Sequence, residues 1–161
     1  MQHDEIEALY RKYGALVHRR AVAILGDAHD GHDVVQEVFV NVLRAPGAFR
    51  AEASPVTYLY NAATNVCLRR LRDGKRRGVL LERHVSKEEP RTDGSRAEDA
   101  LTLAAMLREV PEDLREIAVL YFVDEMSQDE IADRLGVARR TVGNRLDAFR
   151  EAARKAAGDN A

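Results

Sequence analysis

The side chains best suited to chemistry in this sequence are basic and amide groups near its end. Residues 126–146 read MSQDEIADRLGVARRTVGNRL, acidic in the first half and basic in the second. Helical spacing predicts one short helix that ends at Gly136 and a second that begins near Arg139, the pattern of a helix-turn-helix. In such a unit the second helix enters the major groove of DNA and the first braces it. The outward residues of the second helix, and so the predicted DNA contacts, are Arg139, Arg140, Asn144 and Arg145.

Charge is strongly segregated along the chain, although the net charge is only −2. Residues 69–83 carry seven bases and two acids, and residues 139–155 carry six bases and two acids. Between them, residues 111–133 carry eight acids and one base. Either basic block alone could be a solvated helix face. Two separate blocks favour nucleic-acid binding, because the potential that attracts a polyanion is local.

Other chemistry finds little support in the sequence. His29 and His32 lie beside Asp30 and Asp33, but there is no second ligand cluster, and the stretch suits a loop before a helix. Cys67 falls on a mostly apolar face, which favours packing over nucleophilic chemistry. No nucleophile, oriented base and oxyanion donor occur together, and there is no glycine-rich phosphate loop. The sequence therefore predicts no enzyme, no metal and no cofactor.

Helices must position these groups. Apolar residues recur at helical spacing over most of the chain, and no stretch alternates with period two for long enough to predict a strand. A helix ends at the APG of residues 45–47, FRAEA is expected to be a short loop, and the next helix runs from Ser54-Pro55 to the turn-forming Asp73-Gly74. The fold class is all-α, with two small helical domains on a flexible linker. The predicted domains are residues 1–83 and 99–161, and residues 84–98 are the linker.

Composition indicates the cellular compartment of the protein. The 161 residues include 45% hydrophobic and 32% charged residues with a single Cys, so a disulfide framework is not available. No secretory pattern and no apolar run of membrane-spanning length occur. The expectation is a cytoplasmic protein that does not bind a membrane.

Three segments together resemble a known family. DGHDVVQEVFVNVLR (residues 30–44), FRAEASPVTYLYNAATN (residues 49–65) and the segment 126–146 occur in the order found in extracytoplasmic-function sigma factors of bacterial RNA polymerase. The resemblance covers nearly the whole chain outside the linker. It implies a promoter-melting domain (region 2) in front and a second promoter-reading domain (region 4) behind.

The resemblance also implies roles for individual residues. The helix with Asp33, Gln36, Glu37 and Phe39 is similar to the surface that docks on the clamp helices of the polymerase. FRAEASPV is similar to the loop that receives a base flipped from the non-template strand of the minus-ten element. The implied base pocket comprises Phe49, Arg50, Tyr58, Asn61 and Asn65. The implied contacts to the backbone of the melted strand are Arg69, Arg70, Arg72, Lys75, Arg76 and Arg77.

The chain departs from the family pattern at several positions. Tyr58 stands where a Trp is usual, Arg69 where an Asp is frequent, and Ala138 where a Ser usually caps the recognition helix. Gly143, Asp147 and Ala148 replace basic or aromatic base readers. Asn144 is then the best direct reader, because a carboxamide can bond an adenine edge with two hydrogen bonds. The arginines and Thr141 suit phosphate or guanine.

The implied partners are core RNA polymerase, promoter DNA as duplex and as melted strand, and an anti-sigma factor. One alternative is a stand-alone helix-turn-helix regulator, which would leave the first basic block and the FRAEASPV loop without a role. Another is a degenerate sigma factor that only titrates a regulator, since residues 138, 143 and 148 have lost typical groups. A nucleic-acid enzyme is the remaining and weakest alternative.

Overall fold

The computed structural model describes residues 2–51, 54–77 and 103–159. Within those ranges every regular element is helical and no strand occurs, which confirms the all-α prediction. The chain divides into two compact units, Met1–Leu101 and Thr102–Ala161. The predicted linker, residues 84–98, lies outside the described residues, so the exact domain limits stay predictions.

The described residues of the first unit form four helices. They are α1 (His3–Leu25), α2 (Ala28–Arg44), α3 (Pro46–Ala51) and α4 (Pro55–Arg77). Gly26 ends α1 in the left-handed conformation with φ 74°, and the Asp27 side chain caps α2 by accepting the Asp30 N–H. Apolar faces of α1, α2 and α4 meet in one core, whose fully buried members include Val17, Ile24, Val34, Val38, Val42 and Leu59.

Three local predictions in this unit are wrong. Residues 29–33, expected in a loop before a helix, lie in the first turns of α2, because the Asp27 side chain already caps that helix. The FRAEA segment begins inside α3 rather than in a loop, because Pro46 supplies a helical φ at the first position and Ala48 N–H bonds the Ala45 carbonyl. The next helix does not stop at Asp73-Gly74 but continues to Arg77. A glycine inside a helix costs about 1 kcal/mol. The residues that follow, Lys75, Arg76 and Arg77, are types with high helix propensity, which favours continuation of the helix through Gly74.

The second unit also consists of helices. Residues 103–109 form α5, α6 (Glu112–Ala118) continues into a π-helical turn (Val119–Val123), and α7 (Gln128–Leu135) and α8 (Arg139–Asp159) follow. The core that joins α6, the π-helical turn, α7 and α8 is formed by Ile117, Leu120, Ile131, Ala132, Val142 and Leu146. Gly136 makes the turn between α7 and α8 with φ 66°. The predicted helix-turn-helix is therefore present.

A buried arginine links α5 to α6. The Arg115 side chain is only 2% exposed. Its Nε donates to the Leu107 carbonyl at 2.7 Å, and its Nη2 donates to the Arg108 carbonyl at 3.3 Å. Carbonyls in the last turn of a helix have no partner within the helix, so Arg115 supplies donors to two of them, and its bond to Leu107 is buried.

The start of α7 has a capping box. Ser127 Oγ accepts the Glu130 N–H at 3.1 Å, and a Glu130 carboxylate oxygen accepts the Ser127 N–H at 3.1 Å. These hydrogen bonds from Ser127 hold the pKa of the Glu130 carboxyl below its usual value. The bracing helix of the helix-turn-helix is thus tied at its first turn by an ionised group.

Glu130→Gln should reduce the pH dependence of stability in acid. A carboxyl whose pKa is lowered by folding stabilises the protein above its unfolded-state pKa, and that contribution is lost as the pH falls through the folded-state pKa. Thermal unfolding of the full-length protein over an acidic pH series measures the difference. Asp133→Asn removes an acid from the same helix and is the control. Equal acid sensitivity of wild type and Glu130→Gln would contradict the role of the capping box.

Candidate nucleic-acid interface

One face of α4 carries a continuous stripe of groups that can bind a nucleic acid. Tyr58, Asn61, Asn65 and Arg69 are spaced by three, four and four residues, so they lie on the same side of the helix. We call this set the α4 stripe. Asn65 and Arg69 are exposed, and Tyr58 and Asn61 are half-buried. The opposite side of α4 is buried in the core through Leu59, Ala63, Val66 and Cys67.

An aromatic wall lies at the beginning of the α4 stripe. The rings of Phe49 from α3 and Tyr58 from α4 meet edge to face, with centroids 5.3 Å apart and an interplanar angle of 87°. The structure thus brings two predicted pocket residues together, next to Asn61 and Asn65. Arg50 points elsewhere, since its Nη2 lies 3.6 Å from a carboxylate oxygen of Glu5 on α1. An aromatic wall beside amide groups suits an unstacked base.

The rotation of α4 about its axis is set by a network that the sequence analysis missed. Arg20, buried in α1, donates from Nε to Thr64 Oγ1 at 2.9 Å, and Thr64 donates to the Tyr60 carbonyl at 2.9 Å. The guanidinium of Arg20 also lies 4.7 Å from the centre of the Tyr60 ring. With Tyr60 and Thr64 held against α1, the α4 stripe faces away from it. The available signal was an arginine at core spacing between Val17 and Ile24.

The predicted docking residues on α2 do not all reach the surface. Gln36 is exposed, and the Asp33 and Glu37 side chains are 43% and 27% exposed. Phe39 is buried and packs edge-on against the Tyr10 ring, with centroids 5.4 Å apart. Phe39 lies on the side of α2 that faces the core. It therefore packs beneath the predicted docking surface and does not form part of it.

Arginines of α4 contact acids of α2. Glu37 accepts from Arg69 through one carboxylate oxygen and from Arg70 Nη2 through the other, the latter at 3.3 Å. Arg70 Nη1 lies 4.0 Å from Asp33 Oδ2. We call this arrangement of Asp33, Glu37, Arg69 and Arg70 the α2–α4 ion-pair cluster. Two residues implied in polymerase docking are therefore paired with two residues implied in strand binding.

The remaining predicted strand contacts lie in the later turns of α4. Arg72 Nε is 3.6 Å from Asp73 Oδ1. Lys75, Arg76 and Arg77 belong to the helix, but their side chains lie outside the part of the structure that is described. The basic end of α4 thus continues directly from the α4 stripe, which gives a polyanion one uninterrupted helix to follow.

In α8 the predicted inward and outward faces are both present. Val142, Leu146 and Phe149 are buried. On the other side Arg140 and Asn144 are exposed, and Thr141 and Arg145 are partly exposed. Arg139 is exposed as well, and its Nε lies 3.3 Å from Asp129 Oδ1, so it bridges the two helices of the helix-turn-helix.

The residues of α8 that depart from the family pattern lie in different surroundings. A side chain at Gly143 would meet Gln128 of α7, whose Oε1 would lie 3.3 Å from the added Cβ. That position therefore faces the bracing helix rather than open space. Asp147 and Ala148 are exposed, and Asp147 Oδ1 lies 3.4 Å from Arg150 Nη1. At the helix start, the Ala138 carbonyl accepts the Thr141 N–H at 3.0 Å without help from a side-chain cap.

The groups considered for metal or nucleophilic chemistry are engaged in packing. His32 stacks on His18 with centroids 4.2 Å apart, and the described residues contain no cluster of three or more potential ligands. Burial raises the pKa of the Cys67 thiol to about 12, so the thiol is protonated at neutral pH and is a poor nucleophile. None of the helices in the described ranges is long and apolar enough to cross a membrane.

Comparison with known proteins matches each unit to a separate family model. Residues 9–77 match sigma-70 region 2, and residues 100–148 match sigma-70 region 4. The RNA polymerase sigma-H factor of Pseudomonas aeruginosa is 31% identical, with 93% of this chain and 84% of that protein covered. The extracytoplasmic-function sigma factor SigW of Bacillus subtilis is 29% identical over 89% of this chain and 83% of its own length.

A third relative is the extracytoplasmic-function sigma factor SigM of Mycobacterium tuberculosis, 28% identical over 86% of this chain and 70% of that protein. An α-helical first unit with an exposed α4 stripe and a helix-turn-helix second unit define a two-domain protein of the sigma-70 class. The chain belongs to the extracytoplasmic-function sigma factors of RNA polymerase, which act in transcription initiation.

Proposed function

We propose that this sigma factor directs core RNA polymerase to promoters with two elements, and that its two units bind different forms of DNA. Residues 1–83 capture melted DNA at the minus-ten element, residues 99–161 bind duplex DNA at the minus-thirty-five element, and residues 84–98 connect them. The polymerase performs the chemistry and the sigma factor supplies docking, base capture and strand stabilisation. The observation that carries this proposal is the α4 stripe.

In the minus-ten element, the α4 stripe holds one flipped base and the strand that follows it. The edge-to-face pair of Phe49 and Tyr58 provides an apolar wall, and the amides of Asn61 and Asn65 can bond base edges. The arginines that follow along α4 bind the phosphates, a contribution that depends on salt but not on sequence. Capture of a base offsets the few kcal/mol that unstacking costs.

Polymerase docking is assigned to α2, through the side chains of Asp33, Gln36 and Glu37. All three are accessible at least in part, whereas Phe39 positions the helix from the core. Gln36→Ala should therefore weaken binding to core polymerase. We assign the binding of an anti-sigma factor to the same α2 surface, where it blocks docking on the polymerase.

In the minus-thirty-five element, α8 lies in the major groove. Asn144 is the direct base reader, and Arg140, Thr141 and Arg145 contact phosphates or guanine. Because Asp147 and Ala148 offer no basic or aromatic reader, few base pairs are read directly. Recognition of this element is consequently weak or unusual in sequence. Residue 143 faces Gln128 of the bracing helix, so the lack of a side chain there does not imply a lost DNA contact. One of the three departures that favour a degenerate, non-binding sigma factor therefore no longer supports that alternative.

Arg145→Ala should weaken the closed promoter complex about tenfold, because each base or phosphate contact of this kind is worth roughly 1–3 kcal/mol. The measurement is filter binding of holoenzyme to a duplex promoter at a temperature that prevents melting. Arg154→Ala is the matched control, since Arg154 lies on the same helix, is exposed and pairs with Glu151 at 2.7 Å.

Unchanged closed-complex affinity for Arg145→Ala would contradict the assignment of α8 to duplex DNA. Binding of the isolated protein to the duplex as tightly as holoenzyme would favour the alternative of a stand-alone regulator. The proposal expects poor promoter binding until core polymerase is present.

A further inference from the structure

The α2–α4 ion-pair cluster joins the two surfaces to which different functions have been assigned. The Glu37 carboxylate lies between Arg69 and Arg70, and Arg70 extends from Glu37 to within 4.0 Å of Asp33. Glu37 is the most enclosed member, with its side chain 27% exposed. Arg69, in contrast, belongs to the α4 stripe and is 44% exposed. A change in the contacts of Glu37 on α2 therefore alters the pairing of Arg69, which belongs to the α4 stripe.

We propose that Glu37 and Asp33 hold Arg69 and Arg70 away from DNA in the free protein, and that polymerase docking on α2 releases both arginines for the melted strand. The inference rests on the proposed docking and strand-binding roles of the two helices and adds a coupling between them. It makes Glu37 a positioning residue for strand binding, acting through Arg69 and Arg70.

The chemistry of the groups supports an exchange of partners. A guanidinium offers a fixed fork of N–H donors, and donors that face a carboxylate cannot also bond a phosphate. When a polymerase group takes the carboxylates of Glu37 and Asp33, the same donors become available to the DNA backbone. By linkage, a strand that binds Arg69 and Arg70 must in turn free the carboxylates and raise the affinity for polymerase by the same factor.

The strength of the cluster is compatible with switching. Partly exposed ion pairs alter an equilibrium by a factor of only about two to five, because water and salt screen them. An interaction of that size restrains the arginines in the free protein but yields to a phosphate or to a partner surface. A fully buried pair would instead be too costly to separate.

Arg69 belongs to both surfaces that the coupling joins. It pairs with Glu37 of α2, and it adds a cation to the α4 stripe. A negative side chain at this position would repel Glu37 and could not bind a strand phosphate. Arg69 is therefore the residue through which a change at Glu37 alters strand binding most directly.

The direct test measures binding of a fluorescent oligodeoxythymidylate to the free full-length protein by anisotropy over a salt series. Glu37→Gln keeps the side-chain size, removes the charge, and should tighten binding about two- to fivefold. The slope of log affinity against log salt should steepen by about 0.7 for each additional phosphate contact. Glu7→Gln is the control, because Glu7 pairs with Arg11 on α1 at 2.6 Å and the charge change is identical.

The double variant Arg69→Gln/Arg70→Gln separates a general effect of charge from the proposed release of the two arginines. In that background Glu37→Gln should no longer tighten binding. A gain that persists there, or a gain equal to that of Glu7→Gln, would overturn the proposal. Circular dichroism of each variant verifies that the helices are retained.

The second half of the coupling is tested with core polymerase. Saturating oligodeoxythymidylate should raise the affinity of the wild-type protein for core and should not raise that of Glu37→Gln. Equal enhancement in both would overturn the coupling. Failure of the wild-type protein to support promoter-dependent transcription would contradict the proposed function instead, since strand binding by the free protein requires neither polymerase nor promoter.

Discussion

Asn65→Ala should slow promoter opening about tenfold or more while leaving the affinity for core polymerase unchanged. Asn65 is exposed in the middle of the α4 stripe, and the contacts of α4 with the docking residues Asp33 and Glu37 are made by Arg69 and Arg70 instead. Alanine removes the amide that bonds the flipped base, and contacts to a single unstacked base are worth roughly 1–3 kcal/mol. Potassium permanganate reactivity of unpaired thymines in holoenzyme–promoter complexes measures the opening.

The controls for this variant separate pocket loss from general damage. Asn41→Ala makes the same substitution on α2, outside the α4 stripe, and should open promoters normally. A premelted template removes the cost of melting but still requires capture of the base. Holoenzyme with Asn65→Ala should therefore bind this template less tightly than wild-type holoenzyme does. If opening and binding are unchanged on duplex and premelted templates alike, the assignment of the base pocket is wrong.

Arg115→Met should destabilise the second unit by about 3 kcal/mol. The substitution removes two hydrogen bonds to the Leu107 and Arg108 carbonyls, and the bond lost at Leu107 is a buried one. Each unsatisfied buried group costs about 1–3 kcal/mol, which exceeds what the more apolar Met gains by burial. Hydrogen exchange of the full-length protein, resolved by peptide, should show faster exchange throughout α6–α8 and unchanged exchange in α1–α4.

Two further variants test whether the lost hydrogen bonds of Arg115 cause the destabilisation. Arg154→Met makes the same change at an exposed position of the same unit and should leave exchange unaltered. Arg115→Lys keeps the charge but lacks the forked donor, so it should fall between wild type and Arg115→Met. Exchange rates of Arg115→Met equal to those of wild type would show that the two carbonyls do not need the guanidinium.

Features that depend on neighbouring residues were predictable from the sequence. The capping box of Ser127 and Glu130, the turn at Gly136 and the buried face of α8 all follow from local spacing. The pocket residues of α4 were implied by the family resemblance, and helical periodicity explains why Tyr58, Asn61 and Asn65 share one side of the helix. The all-α class follows from the same periodicity.

Features that depend on contacts between helices were not predictable. The periodicity of α2 does not say how far its apolar face extends, so Phe39 was assigned to the surface although it packs against Tyr10. The link from Arg20 to Thr64 and the pairing of Glu37 with Arg69 each join residues more than thirty positions apart. No sequence rule for single helices contains such pairs, and they are the contacts that orient the α4 stripe.

The account depends on two helical units that bind one promoter in different forms, melted strand in front and intact duplex behind. Transcription by sigma-free core polymerase on a library of genomic fragments, with and without the purified protein, tests it most directly. RNA that begins at defined positions only when the protein is added is the predicted result. RNA whose start positions do not change on addition of the protein, across the whole library, would contradict the account.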